Sequence, residues 1–260
     1  MVALVHNQRP GHVPESRFGK WFLGTETWRI HVLFRAFADL RRLADRLPER
    51  PVVLDAGCGW GASIELLNRA LRPSRLIGVD IDPQMIAACH RRAADAGIEV
   101  DLRVEDLARL SLEDESVDVA FCHQTLHHVV DQATAMRELR RVLRPGGILM
   151  FAESTRAYIH SWIIRLLFRH DLTVQRSADE YIAMLKEAGF AIDETAISYP
   201  YLWWSRKDLG IAERLFGIAP PAVREETLLN LVAGRPLHRR PPPTPGAKSR
   251  ARPPLTPAEV

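Results

Sequence analysis

Between Pro51 and Glu153 short apolar runs alternate with stretches of helical period, and this alternation restricts the chain to very few folds. "PVVLDA" reads as a buried strand, "GASIELLNRAL" as a helix, "RLIGVD" as a second strand, and "PQMIAACHRRAADAG" as a helix opened by Pro83 and closed by Gly97. The pattern continues with "EVDLRV" and "VDVAFC" as strands, "QATAMRELRRVL" as a helix stopped by "RPGG", and "ILMFAE" as a fifth strand. Strands joined by crossover helices pair in parallel, and the helices cover both faces of the sheet. Ligands of such sheets bind beyond the carboxyl ends of the strands. With 260 residues, 47% of them apolar, the chain can bury a full core as one domain with additions.

The first strand runs directly into "DAGCGWGAS". Gly57, Gly59 and Gly61 let the backbone turn tightly and approach a ligand without a Cβ in the way. They do so at a helix N-terminus, where free N–H groups suit a nucleotide-like molecule. The loop alone leaves two ligands open, because Gly57, Gly59 and Ala62 also satisfy the dinucleotide fingerprint G-x-G-x-x-G/A. Three acids separate them. Asp80 ends the second strand, where a carboxylate accepts from both hydroxyls of an adenosine ribose in either ligand. Asp106 follows the third strand and suits an adenine amino group, which dinucleotide enzymes do not require. Asp55, just ahead of the glycines, would set negative charge beside a pyrophosphate but suits the cationic end of an amino-acid moiety.

"VVLDAGCGWG", "GVDIDPQMI", "EDLARLSLEDESVDVAFCHQTLHHVVD" and "LRRVLRPGGILMFAE" resemble, in order and spacing, the successive motifs of class I S-adenosylmethionine-dependent methyltransferases. The resemblance is strong over residues 50–153 and continues more weakly through "SADEYIAMLKEAGFAIDETAISY" and "TLLNLVAGRP". It implies a Rossmann-like α/β fold: a seven-stranded, mostly parallel sheet with an antiparallel last strand and helices on both faces. It also implies S-adenosyl-L-methionine as cofactor. Gly57, Gly59 and Gly61 would surround its methionine part, with Asp55 near the amino group and the backbone carbonyl of His123 meeting the ammonium. Asp80 would hold the ribose, Ile81 would pack on the adenine, and Asp106 with the backbone of Leu107 would read its edge. Leu107 stands where the family usually has a small residue.

Methyl transfer from a sulfonium is an in-line displacement driven by alignment and desolvation, so only a poor nucleophile needs a base. His123, His127 and His128 are the candidates, since imidazole titrates near neutral pH and these lie at the carboxyl edge of the sheet. The plainer reading of "TLHHV" is a helix start whose histidines cap or pack. Cys122, His123, His127 and His128 include metal-ligating types, but Cys122 should point inward from a buried strand and no C-x-x-C or H-E-x-x-H motif is present, so no metal is expected. Cys58 reads as a small loop filler whose thiolate nearby Asp55 would oppose.

Three segments outside the shared motifs carry large apolar side chains. Ile30, Leu33, Phe34, Phe37, Leu40, Ala44 and Leu47 recur at helical spacing after Trp21, Phe22 and Trp28. "RAYIHSWIIRLLFRHDL" is an apolar insertion with Arg165 and Arg169 one turn apart, and "YPYLWW" follows the sixth strand. Together they suit either a pocket for an apolar acceptor or a lid that packs on itself. The reading is therefore an N-terminal enclosing segment over 1–49, a methyltransferase domain over 50–236 with an insertion at about 155–176, and a tail over 237–260. From Arg235 onward the net charge is +5, leaving about −2 on the rest when the whole chain carries +3. From Pro236 onward the chain holds eight of the eighteen prolines and no apolar period, so this tail is expected to be disordered. A slightly acidic body argues against a nucleic-acid acceptor and for a small molecule. The rival reading is a cofactor-binding scaffold without catalysis. Three unpaired cysteines, and no signal peptide or spanning segment, make a cytoplasmic location the expectation, with room for peripheral contact with a membrane surface. Oligomeric state is not legible.

Overall fold

The computed structural model describes residues 16–206 and 209–237. Seven strands are present: β1 (Val52–Ala56), β2 (Arg75–Asp80), β3 (Asp101–Val104), β4 (Val117–His123), β5 (Leu143–Ser154), β6 (Ala191–Ser198) and β7 (Leu228–Gly234). The helices are α1 (Arg17–Leu23), α2 (Glu26–Trp28), α3 (Arg35–Leu43), α4 (Ala62–Leu71), α5 (Pro83–Asp95), α6 (Gln132–Val142), α7 (Arg156–Ile159), α8 (Trp162–Leu167), α9 (Ala178–Glu187) and α10 (Ile211–Phe216). The strands form one sheet in the order β3-β2-β1-β4-β5-β7-β6, parallel throughout except that β7 runs antiparallel to both its neighbours.

Alternation along the central strands sends successive side chains to opposite faces. Val53, Val119 and Phe121 join one core with Leu33, Phe37, Leu40, Leu67 and Cys89, so α3, α4 and α5 lie on that side. Leu54, Ala120 and Cys122 join the other with Met136, Leu139, Tyr181 and Leu185, which places α6 and α9 opposite. Cys122 is fully buried there, and burial pushes its thiol well above its usual range. Helix ends follow local chemistry. Asp82 caps α5 through Gln84 N with Pro83 in the first turn, and Ser177 and Glu180 form a reciprocal capping box on α9.

Two details differ from the sequence reading. The helical stripe begun at Ile30 ends at Leu43, and residues Arg29–Phe34 form a wider π-helical turn that leaves Ile30 exposed. Helix α3 covers the sheet itself: Phe37 meets Phe121 edge-on, and Asn230 Nδ2 of β7 donates to Asp39 at 3.0 Å. The packed core thus begins earlier in the chain than the shared motifs. Second, "RPGG" does not separate helix from strand. It lies within β5, where the register slips between Leu143 opposite Val117 and Ile148 opposite Val119. Gly146 has φ +82°, and a Cβ on Gly147 would stand 2.9 Å from Arg144 O, so the two glycines permit the irregularity. The disordered-tail expectation falls, from residue 238 on, outside the described residues.

Because β1 sits between β2 and β4 while their connections run to opposite faces, the strand order reverses at its carboxyl end. Ala56 pairs with both Val79 and Cys122 there, bringing the glycine loop, Asp80 and His123 to one edge.

Candidate active site

The glycine loop folds back over β2. Gly57 N and Cys58 N both donate to Val79 O at 2.9 Å. Gly57 has φ +86°, and a Cβ there would lie 2.3 Å from the Thr125 side chain, so the residue is required by a close approach as well as by the turn. Gly59, at φ +50°, faces open space instead. Its N–H donates to Asp80 Oδ2 at 3.0 Å, while Asp82 N donates to Asp80 Oδ1 at 2.9 Å, so this carboxylate shapes both loops around it. Gly61 has a different neighbour: it caps α4 at φ +84°, and a Cβ would meet Cys89 Sγ at 2.7 Å. It does not line the cavity; its smallness lets α4 pack on α5. The Cys58 thiol, hydrogen-bonded to Cys89 and buried, is held well above its usual range and stays protonated.

A cavity of about 340 Å³ opens at this edge, and Asp55, Gly57, Gly59, Asp80, Ile81 and Asp106 line one end of it. Leu107 and His123 are in its wall as well. Asp106 Oδ1 accepts from Ala108 N at 2.9 Å, which turns the chain sharply after β3. Asp55 is almost fully buried and accepts the Ser63 hydroxyl at 2.5 Å. Burial and the charge of Asp80 outweigh that bond and raise its carboxyl to about 7. The residues fit an adenosine-bearing sulfonium amino acid on the structure's own terms. The space above Gly59 would be narrowed by a Cβ, an anionic carboxylate stands at Asp80, and Trp60 Nε1, buried at the wall, makes no hydrogen bond among the described residues.

The other end is apolar. Phe22, Trp28, Ile164 and Phe168 face it. Phe168 meets the rings of Phe18 at 5.5 Å and Phe22 at 5.9 Å, and Ser16 Oγ donates to Leu167 O at 2.8 Å, so the N-terminal segment and the insertion close on each other. The "YPYLWW" segment joins them through Trp204 Nε1, which donates to His31 O at 3.1 Å. Trp162 stands outside this wall with two-thirds of its surface exposed, and Arg165 and Arg169 are exposed on the same stretch.

The three histidines singled out from sequence fall into different surroundings. His123 lies parallel to Phe121 at 5.8 Å and edge-on to Trp28 at 5.6 Å. Burial, and secondarily His127, pushes it down to about 3, so it is neutral at physiological pH. Its carbonyl accepts the Thr125 hydroxyl at 3.0 Å. His127 and His128 form a short 3₁₀ turn after β4. Behind them is Glu153, fully buried at the end of β5, which accepts from Thr125 N at 2.7 Å and Leu126 N at 2.6 Å and lies 2.6 Å from His127 Nδ1. A carboxylate that already takes two backbone donors is an acceptor, so Nδ1–H of His127 donates to it. Sequence reasoning passed over Glu153, although an acid closing an otherwise apolar strand was a visible signal. It also missed His170, from the insertion, whose ring lies 5.2 Å from that of His127 and 5.0 Å from that of His128. Burial, and secondarily His127, pushes His170 down to about 3.

Residues 54–151 match the family described as "Methyltransferase domain". A probable S-adenosylmethionine-dependent methyltransferase of Mycolicibacterium smegmatis is 37% identical over 155 residues, covering 60% of this chain and 57% of that protein. A ubiquinone biosynthesis O-methyltransferase of Pseudomonas syringae pv. tomato is 31% identical over 155 residues, 55% of this chain and 65% of that one. The chain spans about half the length of the curated relatives it matches. Among solved structures, an S-adenosylmethionine-dependent methyltransferase from Mesorhizobium loti shares the fold with a TM-score of 0.56 at 21% identity, covering 82% of this chain and 99% of that one. Sheet order, glycine loop and family match converge: residues 54–151 are a methyltransferase domain, set in a sheet that shares its fold with a solved S-adenosylmethionine-dependent methyltransferase.

Proposed function

We propose that this chain transfers the methyl group of S-adenosylmethionine to a small acceptor with an apolar body and a hydroxyl or phenol group. The observation that carries the reading is a single cavity, polar and acidic at the glycine loop, aromatic and aliphatic at the far end, with imidazoles along its wall. Asp80 would hold the ribose, Asp106 and the Leu107 backbone the adenine edge with Ile81 against the ring, and Asp55 the amino group. Bound there, the cofactor supplies a methyl group on a positively charged sulfur, a good leaving group. The chain's own residues do the rest. Phe22, Trp28, Ile164 and Phe168 exclude water from the acceptor and orient it by shape, since burying one such side chain's worth of surface is worth about 1.5–3 kcal/mol. The imidazoles of His127 and His128 take charge of the acceptor's proton, Glu153 fixing the His127 tautomer. His123, sealed between aromatic rings, serves as packing and offers its carbonyl.

The name of the Pseudomonas syringae relative supports an oxygen acceptor on a molecule with a large apolar part. The body's slight negative charge supports a small molecule over nucleic acid. Among the described residues no helix is long and apolar enough to cross a membrane. Three free, buried thiols support a cytoplasmic location. The test is conversion of S-adenosylmethionine to its demethylated product with a panel of apolar phenols and of polar hydroxyl compounds of similar size. Turnover favouring the apolar phenols is expected. Tight cofactor binding with no turnover on any acceptor would instead identify a scaffold.

A further inference from the structure

We propose that His127, His128 and His170 bind one divalent d-block metal ion of the zinc type, leaving an open coordination position toward the acceptor end of the cavity. The three side chains come from two separate segments, the turn after β4 and the stretch after α8, yet one ligand atom from each lies within 4.8 Å of the others. A tetrahedral ion with metal–nitrogen bonds of about 2.0–2.1 Å needs nitrogens roughly 3.3 Å apart, so side-chain rotations of about an ångström complete the site. All three rings face the cavity.

Two features show construction rather than chance stacking. Glu153 lies behind His127 on Nδ1 at 2.6 Å, the carboxylate–imidazole arrangement that orients a metal-binding histidine and makes its other nitrogen a better donor. The His170 segment is also stitched to the histidine turn by buried amides. Gln175 Nε2 donates to His127 O at 2.9 Å and to Asp171 O at 2.7 Å, and Gln132 Nε2 donates to Leu126 O at 3.1 Å and to Val174 O at 3.0 Å. These bonds hold His170 opposite His127 and His128 in a chamber that is otherwise largely apolar. Three imidazoles without a directly placed carboxylate or thiolate suit zinc, cobalt or nickel and not magnesium or calcium, and three protein ligands are the number that leaves a position open. Spacing along the chain could not reveal the set, because its third member sits in the insertion.

The proposal deepens the reading of the cavity as an acceptor site and rests on it for one step: the open position takes the acceptor's oxygen, whose proton is then lost to solvent under the ion's charge, so with the ion bound His127 and His128 act through it and not as free bases. Metal binding itself can be read without cofactor or acceptor. The full chain, stripped with a chelator, is titrated with Zn²⁺ alone by calorimetry and with Co²⁺ alone by visible absorption. One ion per chain and the strong visible bands of a four-coordinate Co²⁺ centre are expected. His128→Gln and His170→Gln should each weaken uptake about tenfold or more, and Glu153→Gln by about ten- to hundredfold. His90→Gln, at an exposed position on α5, should leave it unchanged. Should Glu153→Gln fail to fold, the variants at the two partly buried histidines, His128 and His170, still decide. No uptake of either ion, or uptake that persists in the His128→Gln/His170→Gln double variant, overturns the proposal. S-adenosylmethionine binding measured on the same samples separates the two readings: metal uptake with no cofactor affinity removes the methyltransferase function alone, and the converse removes the metal site alone.

Discussion

Replacing Asp55 with Asn should make the protein more stable and a poorer binder, and pH should govern both effects. The carboxyl sits at the end of β1, almost without solvent contact, with the Ser63 hydroxyl at 2.5 Å and the Asp80 charge nearby. Its rise from 3.8 to about 7 corresponds to about 4 kcal/mol, at about 1.4 kcal/mol per unit. Between these two values the folded chain keeps the proton while the unfolded chain has lost it. Stability therefore falls as pH rises through that window, and the full cost is present above about pH 7. An asparagine in its place would keep an oxygen for Ser63 and never ionise. The stability of Asp55→Asn relative to wild type should then climb by up to about 4 kcal/mol between about pH 4 and pH 8, equivalent to roughly 8–16 °C in melting temperature for a domain of this size. Urea unfolding followed by tryptophan fluorescence across that range measures it. The same reasoning predicts that S-adenosylmethionine, bringing a positive charge to the carboxylate, releases close to one proton on binding at about pH 6 and almost none at about pH 8. Calorimetry in buffers of different ionisation enthalpy reads this directly, and the release should vanish in Asp55→Asn along with much of the affinity. A stability difference that does not change with pH, or proton release unaltered by the substitution, would refute the argument.

Gly57→Ala should cost about 1–3 kcal/mol in thermal stability, because a left-handed backbone and the contact with Thr125 are violated together. Gly59→Ala meets no protein atom, so its stability cost should stay near about 1 kcal/mol while cofactor affinity drops, as titration calorimetry would show. Asp80→Ala removes the acceptor of Gly59 N and Asp82 N and should weaken S-adenosylmethionine binding at least about tenfold, at roughly 1.5–3 kcal/mol per charge-assisted bond; unchanged affinity would exclude Asp80 from the site. Phe168→Ala opens the apolar wall and should raise KM for apolar acceptors selectively, whereas exposed Trp162→Ala should shift stability by no more than about 0.5 kcal/mol and leave kinetics alone.

The sheet and its glycine loop were legible in the sequence because they depend on short-range regularities. Apolar runs of strand length, helical periods capped by Pro83 or Ser177, and glycines at alternate positions each act within a few residues. Asp80 and Asp106 were legible for the same reason, standing where strands end. Tertiary structure decided what depends on partners far along the chain. Gly61 looks like its neighbours in sequence, but its neighbour in space is Cys89, so it serves helix packing rather than the cavity. "HQTLHH" presents three histidines as equivalents; the sheet buries His123 between aromatic rings and sets Glu153, 26 residues on from His127, against one nitrogen of that ring. His170 carries no local signal at all, and contacts made far along the chain, among them the side-chain amide hydrogen bonds of Gln132 and Gln175, bring its segment to the pair. Local propensity and period are written residue by residue, whereas burial and long-range pairing, which set protonation and ligand geometry, exist only once the chain has folded back on itself.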